Sequence, residues 1–148
     1  FGGVEHRIEL VRIKDGVRFY NDSIASSPSR TIAGLRSFKE KVILIAGGYD
    51  KHIPYDVLGP EVCKHVKKLF LGGATGPQIR AAVEKAPEYR PGCPEIVDCG
   101  DFTTAVHAAV AAAESGDVVL MSPASAAFDQ FKNFMVRGQY FKKLIMEL

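Results

Sequence analysis

The stretch Val42-Ile43-Leu44-Ile45-Ala46, ending in Gly47-Gly48, constrains the fold more than any other. Five apolar residues in succession cannot alternate between a core and water. They read as a strand buried on both faces, as happens where helices cover both sides of a parallel sheet. The strand-then-glycine pattern returns at Lys68-Leu69-Phe70-Leu71-Gly72-Gly73, and shorter strands are expected at Glu95 to Cys99 and Val118 to Met121. Helical stretches lie between them. Ser27-Pro28 opens one with Ile32, Leu35 and Phe38 on one face, and proline suits a first helical position. Pro60 to Lys67 sets Val62 beside Val66, and Pro77 to Lys85 turns Ile79, Ala82 and Val83 inward. Asp101 is the expected N-cap of Phe102 to Glu114, with Gly116 as its C-terminal cap. Ala86 to Glu95 holds three prolines and a glycine and reads as a surface loop. Arg137 to Leu148 is expected to be a last helix.

The beginning follows another rule. Glu5 to Lys14 alternates apolar and polar residues as one strand, Asp15-Gly16 follows, and Val17-Arg18-Phe19-Tyr20 comes next. An Asp-Gly step between two such runs signals a hairpin. The expected fold class is α/β: a mostly parallel sheet with helices on both faces, with one antiparallel strand from the opening hairpin. Its 148 residues form one domain, 1–148, with no internal boundary or repeat. The opening Phe1-Gly2-Gly3-Val4 reads as a linker entering a strand, so an excised domain is expected.

A composition of 47% hydrophobic and 24% charged residues is that of a folded globule. A net charge of +2, with no basic stripe interleaved by aromatics, gives no reason to expect nucleic acid. The longest apolar run, Val106 to Ala113, is interrupted by His107 and too short for a bilayer, so no membrane partner is expected. Cys63, Cys93 and Cys99 lack metal-type spacing and read as free thiols of a reducing, cytoplasmic compartment. His52, His65 and His107 have no metal spacing either, and no metal site is expected.

In such a sheet, ligands bind where strands end at their carboxyl side. Four loops should gather there: Asn21 to Ser27, Gly47 to His52, Gly72 to Gly76 and Ser122 to Phe134. Asp22 in the first is placed either to cap the following helix or to accept ribose hydroxyls. Lys51 follows a glycine turn and offers a compact charge to a carboxylate or phosphate. Arg7, in the pair His6-Arg7 at the start of the first strand, suits phosphate through its guanidinium fork. Phe128, Phe131 and Phe134 could wall a pocket or fill the core. No G-x-x-x-x-G-K-S/T phosphate loop, G-x-G-x-x-G fingerprint or G-x-S-x-G elbow is present, so Gly47-Gly48 and Gly72-Gly73 read as tight turns.

Four motifs occur in order: His6-Arg7; Tyr20-Asn21-Asp22-Ser23; Gly47-Gly48-x-Asp50-Lys51; and Leu120-x-Ser122-Pro123-Ala124-x-Ala126-x-Phe128-Asp129-x-Phe131-x-Asn133-Phe134-x-x-Arg137-Gly138. Together, from about His6 to Phe141, they resemble the C-terminal domain of the D-glutamate-adding branch of the Mur ligase family. The resemblance implies a Rossmann-like domain that carries the incoming amino acid and closes over ATP. It implies a cytoplasmic peptidoglycan-precursor ligase whose UDP-sugar-binding and central ATPase domains lie outside this chain. There, ATP phosphorylates the carboxylate of UDP-N-acetylmuramoyl-L-alanine, and the D-glutamate amine attacks the acyl phosphate. Mg2+ is then held mainly by the central domain. The resemblance puts His6, Arg7 and Asp22 on the nucleotide and Ser26, Lys51, Ala127, Phe128 and Phe134 on D-glutamate. It assigns no catalytic residue here. Two positions depart from the family: Ile24 where many members have lysine, and Ala127 where many have a serine. Loss of that hydroxyl removes a donor to the substrate carboxylate, a loss of roughly 1 kcal/mol unless Ser26, Ser125 or a backbone N–H replaces it.

Other readings remain open on sequence alone. Sister ligases adding diaminopimelate or lysine carry an Asp-Asn-Pro-Arg motif that this chain lacks, and alanine-adding members are typically His-rich where Asn21-Asp22-Ser23 stands. A folate polyglutamate ligase shares the architecture. A non-catalytic nucleotide-binding module would use Gly72 to Gly76. Without a phosphate loop, the isolated domain is expected to release no phosphate from ATP, with or without D-glutamate, in a phosphate-release assay.

Overall fold

A computed structural model describes residues 4–128 and 130–148. The linker expected at Phe1-Gly2-Gly3, and Asp129 of the last motif, lie outside the described residues. The chain runs β1 (Glu9–Lys14), β2 (Val17–Asn21), α1 (Pro28–Leu35), β3 (Val42–Ala46), α2 (Leu58–His65), β4 (Val66–Gly72), α3 (Gly76–Lys85), β5 (Glu95–Gly100), α4 (Phe102–Ala112), β6 (Val118–Met121) and α5 (Phe134–Met146). One sheet has the order β1-β2-β6-β3-β4-β5. β1 is antiparallel to β2, and the other paired strands are parallel. The expected fold class is the observed one. No described helix is long and apolar enough to cross a membrane.

β3 lies inside the sheet, and all five of its residues are buried. Val42, Leu44 and Ala46 pack in the layer of α1, α2 and α3, with Leu35, Leu58, Val62, Ile79 and Val83. Ile43 and Ile45 point the other way, toward Phe102, Ala105 and Val106 of α4 and Phe141 and Ile145 of α5. Burying one such side chain contributes roughly 1.5–3 kcal/mol. That two-sided demand is why the strand needs no polar alternation.

The hairpin turn has Asp15 at φ 53° and Gly16 at φ 78°, as a two-residue turn of type I′ requires. Asp101 caps α4 by accepting the Thr104 N–H at 2.7 Å. The glycine pairs are turns of a particular kind. A Cβ on Gly47 would sit 2.0 Å from the Gly72 carbonyl oxygen, and one on Gly73 would meet Gly48 backbone at 2.8 Å. The ends of β3 and β4 therefore touch backbone to backbone.

Several boundaries differ from the sequence expectation; α1 ends at Leu35, so Phe38 lies beyond it, and α2 starts at Leu58 rather than Pro60. His6-Arg7 does not start β1, which begins at Glu9. A turn with an Arg7 N–H to Val4 carbonyl bond of 3.1 Å precedes it, with His6 and Ile8 at φ 66° and 45°. Side-chain bonds to this turn outweigh the extended preference of an alternating pattern. Val66 and Lys67 belong to β4, not to the helix, because Val66 pairs with Val42 and is wholly buried. Gly116 does not cap α4, which ends at Ala112 with Ala113 extended. It sits in the next turn at φ 96° and donates its N–H to the Gly16 carbonyl at 2.9 Å. α5 starts at Phe134 rather than Arg137, because Asn133 accepts the Val136 N–H at 2.9 Å.

Gly138 lies against this opening turn. A Cβ there would fall 2.2 Å from His6 Nδ1, and the ring, held by Asn21, has little freedom to retreat. Gly138→Ala is therefore expected to destabilise the domain by about 1–3 kcal/mol through overpacking, measured by urea denaturation, although alanine is the better helix former.

Candidate functional site

The site forms where β2, β3, β4 and β6 end. β2 and β3 lead into the α1/α2 layer, while β6, seated between them, leads to α5 on the other face. Adjacent strands sending their connections to opposite faces leave a crevice at their carboxyl ends. β1 runs antiparallel, so its beginning lies at this same edge.

Backbone bonds join the four expected loops. Gly47 N–H donates to the Pro123 carbonyl (2.9 Å), Tyr49 N–H to Ala126 (2.8 Å), Ala124 N–H to Ala25 (2.9 Å) and Thr75 N–H to Gly48 (3.1 Å). Hydroxyls fill the space between. Ser125 Oγ lies 2.9 Å from the Tyr55 hydroxyl and 2.8 Å from Thr75 Oγ1, which accepts the Gly48 N–H at 3.0 Å.

Arg137, from the first turn of α5, is 1% exposed at the centre of this arrangement. Its guanidinium donates to the Ser125 carbonyl (2.8 Å), the Ser23 carbonyl (2.7 Å), Ser23 Oγ (3.0 Å) and Ser26 Oγ (3.4 Å). Ser23 Oγ in turn donates to the Phe134 carbonyl at 2.6 Å. A buried guanidinium is tolerated only when its donors are used in this way. The sequence motif contained Arg137, but nothing in its spacing revealed that the side chain ties the β2 and β6 loops together.

The nucleotide candidates separate. Arg7, Ile8, Asp22, Ile24, Ser29, Arg30, Ala33 and Gly34 line a cleft of about 200 Å³. His6 does not line it. Its ring is 4% exposed, accepts the Asn21 side-chain N–H on Nδ1 at 2.9 Å, and meets the Phe134 ring edge-on at 5.9 Å. Arg7 is thus the member of the pair that reaches the cleft.

Asp22 does not cap α1, whose N-cap is Ser27. Its Oδ1 accepts the Ile8 N–H (3.1 Å) and its Oδ2 accepts the Ser122 hydroxyl (2.7 Å). Burial pushes its carboxyl up to about 6, against the opposing effects of Ser122, the Ile8 N–H, Arg7 and Arg30. Gly34 makes room for it, since a Cβ there would come 2.8 Å from Oδ2.

The D-glutamate candidates occupy two neighbouring regions. Ser26 and Phe134 belong with Arg137, Ser23 and His6. Exposed Lys51 lies two residues beyond Tyr49, whose bridge to Ala126 brings in the last loop. Phe128 is 65% exposed, with its ring edge-on to Tyr49 at 5.8 Å. Ala127 is buried, and its carbonyl accepts the Phe131 N–H at 2.8 Å. Among the described residues, no hydrogen bond or ring contact joins Lys51 to Ser26.

Glu5, His6 and Glu9 bring ligand atoms within 4.8 Å of one another. That space already has its cation. Lys142 Nζ lies 2.8 Å from Glu5 Oε2 and 3.1 Å from Glu9 Oε2. Burial would raise the Glu9 carboxyl, but hydrogen bonds from His6 N–H, Lys142 and Asn21 outweigh it and hold the group below its ordinary range. This network braces the turn that carries Arg7.

The profile of the family described as Mur ligase, glutamate ligase domain, matches residues 6–125. The chain belongs to this family. It is 58% identical over 98% of its length to the UDP-N-acetylmuramoylalanine–D-glutamate ligase of Acetivibrio thermocellus. It spans about a third, 32%, of that protein. A domain of a proposed UDP-N-acetylmuramate:L-alanyl-γ-D-glutamyl-diaminopimelate ligase from Haemophilus ducreyi shares the fold, with TM-score 0.60 and 16% identity over 94% of this chain and 99% of that one. So does the Yersinia pestis bifunctional folylpolyglutamate/dihydrofolate synthase complexed with AMPPNP and a manganese ion, with TM-score 0.60 and 15% identity over 97% of this chain and 32% of that one.

The Mur ligase domain should carry a pH signature from Asp22. A carboxyl near 6 when folded and at its ordinary acidity when unfolded holds its proton more tightly in the folded state. Its contribution is fully present below about pH 4 and lost as pH rises through about 6. The stability of wild type relative to Asp22→Asn is expected to fall by about 2 kcal/mol between about pH 4 and 6, and by about 3 kcal/mol in all once the pH is a unit or more above the folded value, measured by urea denaturation at several pH values.

Proposed function

We propose that this chain is the amino-acid-carrying, nucleotide-closing domain of an ATP-dependent ligase that adds D-glutamate to UDP-N-acetylmuramoyl-L-alanine. The observation that carries the reading is the 58% identity to a ligase of that name over 98% of the chain. In the full protein, a central domain supplies the phosphate loop and the main Mg2+ ligands, and a further domain holds the UDP-sugar. Both lie outside these 148 residues. The setting is cytoplasmic peptidoglycan precursor synthesis.

Arg7 and Asp22 form the nucleotide face. The cleft they share supports this, because it combines a guanidinium with a carboxylate able to accept ribose hydroxyls. His6 acts there through the turn it anchors. Ser26, Lys51, Ala127, Phe128 and Phe134 form the D-glutamate face. Lys51 pairs with a substrate carboxylate, Phe134 lines the pocket, and Phe128 meets the substrate through its backbone. The hydroxyl missing at Ala127 has Ser26, held by Arg137, as its proposed substitute. This domain supplies orientation. Closing over ATP, it would hold the amine of D-glutamate against the acyl phosphate formed on the central domain, so that attack becomes effectively intramolecular.

The full-length protein is expected to release phosphate from ATP with UDP-N-acetylmuramoyl-L-alanine and D-glutamate. L-alanine, L-lysine or diaminopimelate should not replace D-glutamate, and equal turnover with any of them would refute the reading. Lys51→Ala is expected to raise the D-glutamate KM roughly 10- to 100-fold, the loss of one charge-assisted hydrogen bond. An unchanged KM would remove Lys51 from the site.

A further inference from the structure

Arg30 was not singled out by the sequence, yet it lines the same cleft as Arg7 and Asp22. It comes from the first turn of α1, and Arg7 from the turn before β1, so two separate elements contribute an arginine to one cleft. Among the described residues, neither side chain has a hydrogen bond or ion pair. Other arginines of the chain do, such as Arg36 with Glu61 and Arg18 with Glu40. Asp22 does not serve as a fork partner. Each of its oxygens accepts one hydrogen bond, from the Ile8 N–H and from the Ser122 hydroxyl, which leaves acceptor capacity for a ligand hydroxyl. Two cations thus face one hydrogen-bonded carboxyl, and the cleft has a net positive field. Ser27 provides no side-chain cap to α1, so the first-turn N–H groups add to that field.

Ile24 lines this cleft too. Arg30, in the first turn of α1, lines the same cavity as Ile24.

We infer that Arg30 is a second nucleotide-binding cation of this domain, holding a phosphate oxygen of ATP beside Arg7. This deepens the proposed function and rests on its nucleotide half alone. A guanidinium suits the task because it stays charged and offers paired donors to phosphate. Aliphatic Ile24 then serves as wall rather than donor.

The test uses the full-length protein with Arg30→Ala, Arg30→Lys, Ile24→Lys and the double variant Ile24→Lys/Arg30→Ala. The readouts are ADP affinity by isothermal titration, KM for ATP, KM for D-glutamate and thermal midpoint. Arg30→Ala is expected to weaken ADP binding and raise the ATP KM about tenfold, as for one charged hydrogen bond. The thermal midpoint and D-glutamate KM should stay near wild type. Arg30→Lys should fall between, and Ile24→Lys should restore most of the loss in the Arg30→Ala background. Unchanged ADP affinity and ATP KM in Arg30→Ala would overturn the inference. So would losses in all four readouts together, since they mark a structural role, and so would a wild-type protein without ADP affinity. A protein that adds another amino acid would instead refute the D-glutamate reading and leave the ADP comparison standing.

Discussion

The buried guanidinium of Arg137 is the interaction on which the face of this domain depends. It reaches from α5 to the carbonyls of Ser23 and Ser125 and to the hydroxyls of Ser23 and Ser26. Leaving one such buried acceptor unmade costs roughly 1–3 kcal/mol, so the loops after β2 and β6 have few alternatives to their observed positions. Loops held this way can present binding groups with little ordering left to do when ligand arrives. The hydroxyl chain Tyr55, Ser125 and Thr75 performs the same service for the loops after β3 and β4.

The cleft beside this hub shows charge and burial in opposition. Arg7 and Arg30 favour an ionised Asp22, but burial is the larger effect and lifts the carboxyl to about 6. The strained turn that delivers Arg7 has two non-glycine residues at positive φ, each costing of order 1–3 kcal/mol. Glu9, Asn21, Asp22 and Lys142 all bond to this turn or to its partners, and these bonds offset that cost. Strain and a raised carboxyl occur together at the edge proposed to meet the nucleotide, as is common at functional sites.

Much of the architecture was legible because its signals are local or periodic. The Asp15-Gly16 hairpin, the doubly buried β3, the Asp101 cap and the inward face of α3 depend on a few neighbouring residues. Boundaries were less legible where a distant partner decided them. Val66 is strand because Val42 pairs with it, and α5 starts early because Asn133 caps it. His6-Arg7 looked like a strand start, but Asn21, Glu9 and Lys142 hold that segment in a turn. Of the candidate site residues, Arg7, Asp22, Ser26, Lys51 and Phe134 were marked by motif and loop position. Arg30 carried no motif, and only the placement of α1 beside Asp22 gives it significance.

The sequence by itself determined the alternation of strands and helices, the opening hairpin, the absence of a phosphate loop and the family. Each is written in the order and spacing of residue types along the chain. Only the tertiary structure decided that His6 is buried while Arg7 faces the cleft, that Lys142 fills the acidic cluster, and that Arg30 shares a cavity with Ile24 and Asp22. Those outcomes depend on contacts between residues up to 137 positions apart. Pattern along the chain specifies which face of an element is buried, but not which distant side chain it will meet there.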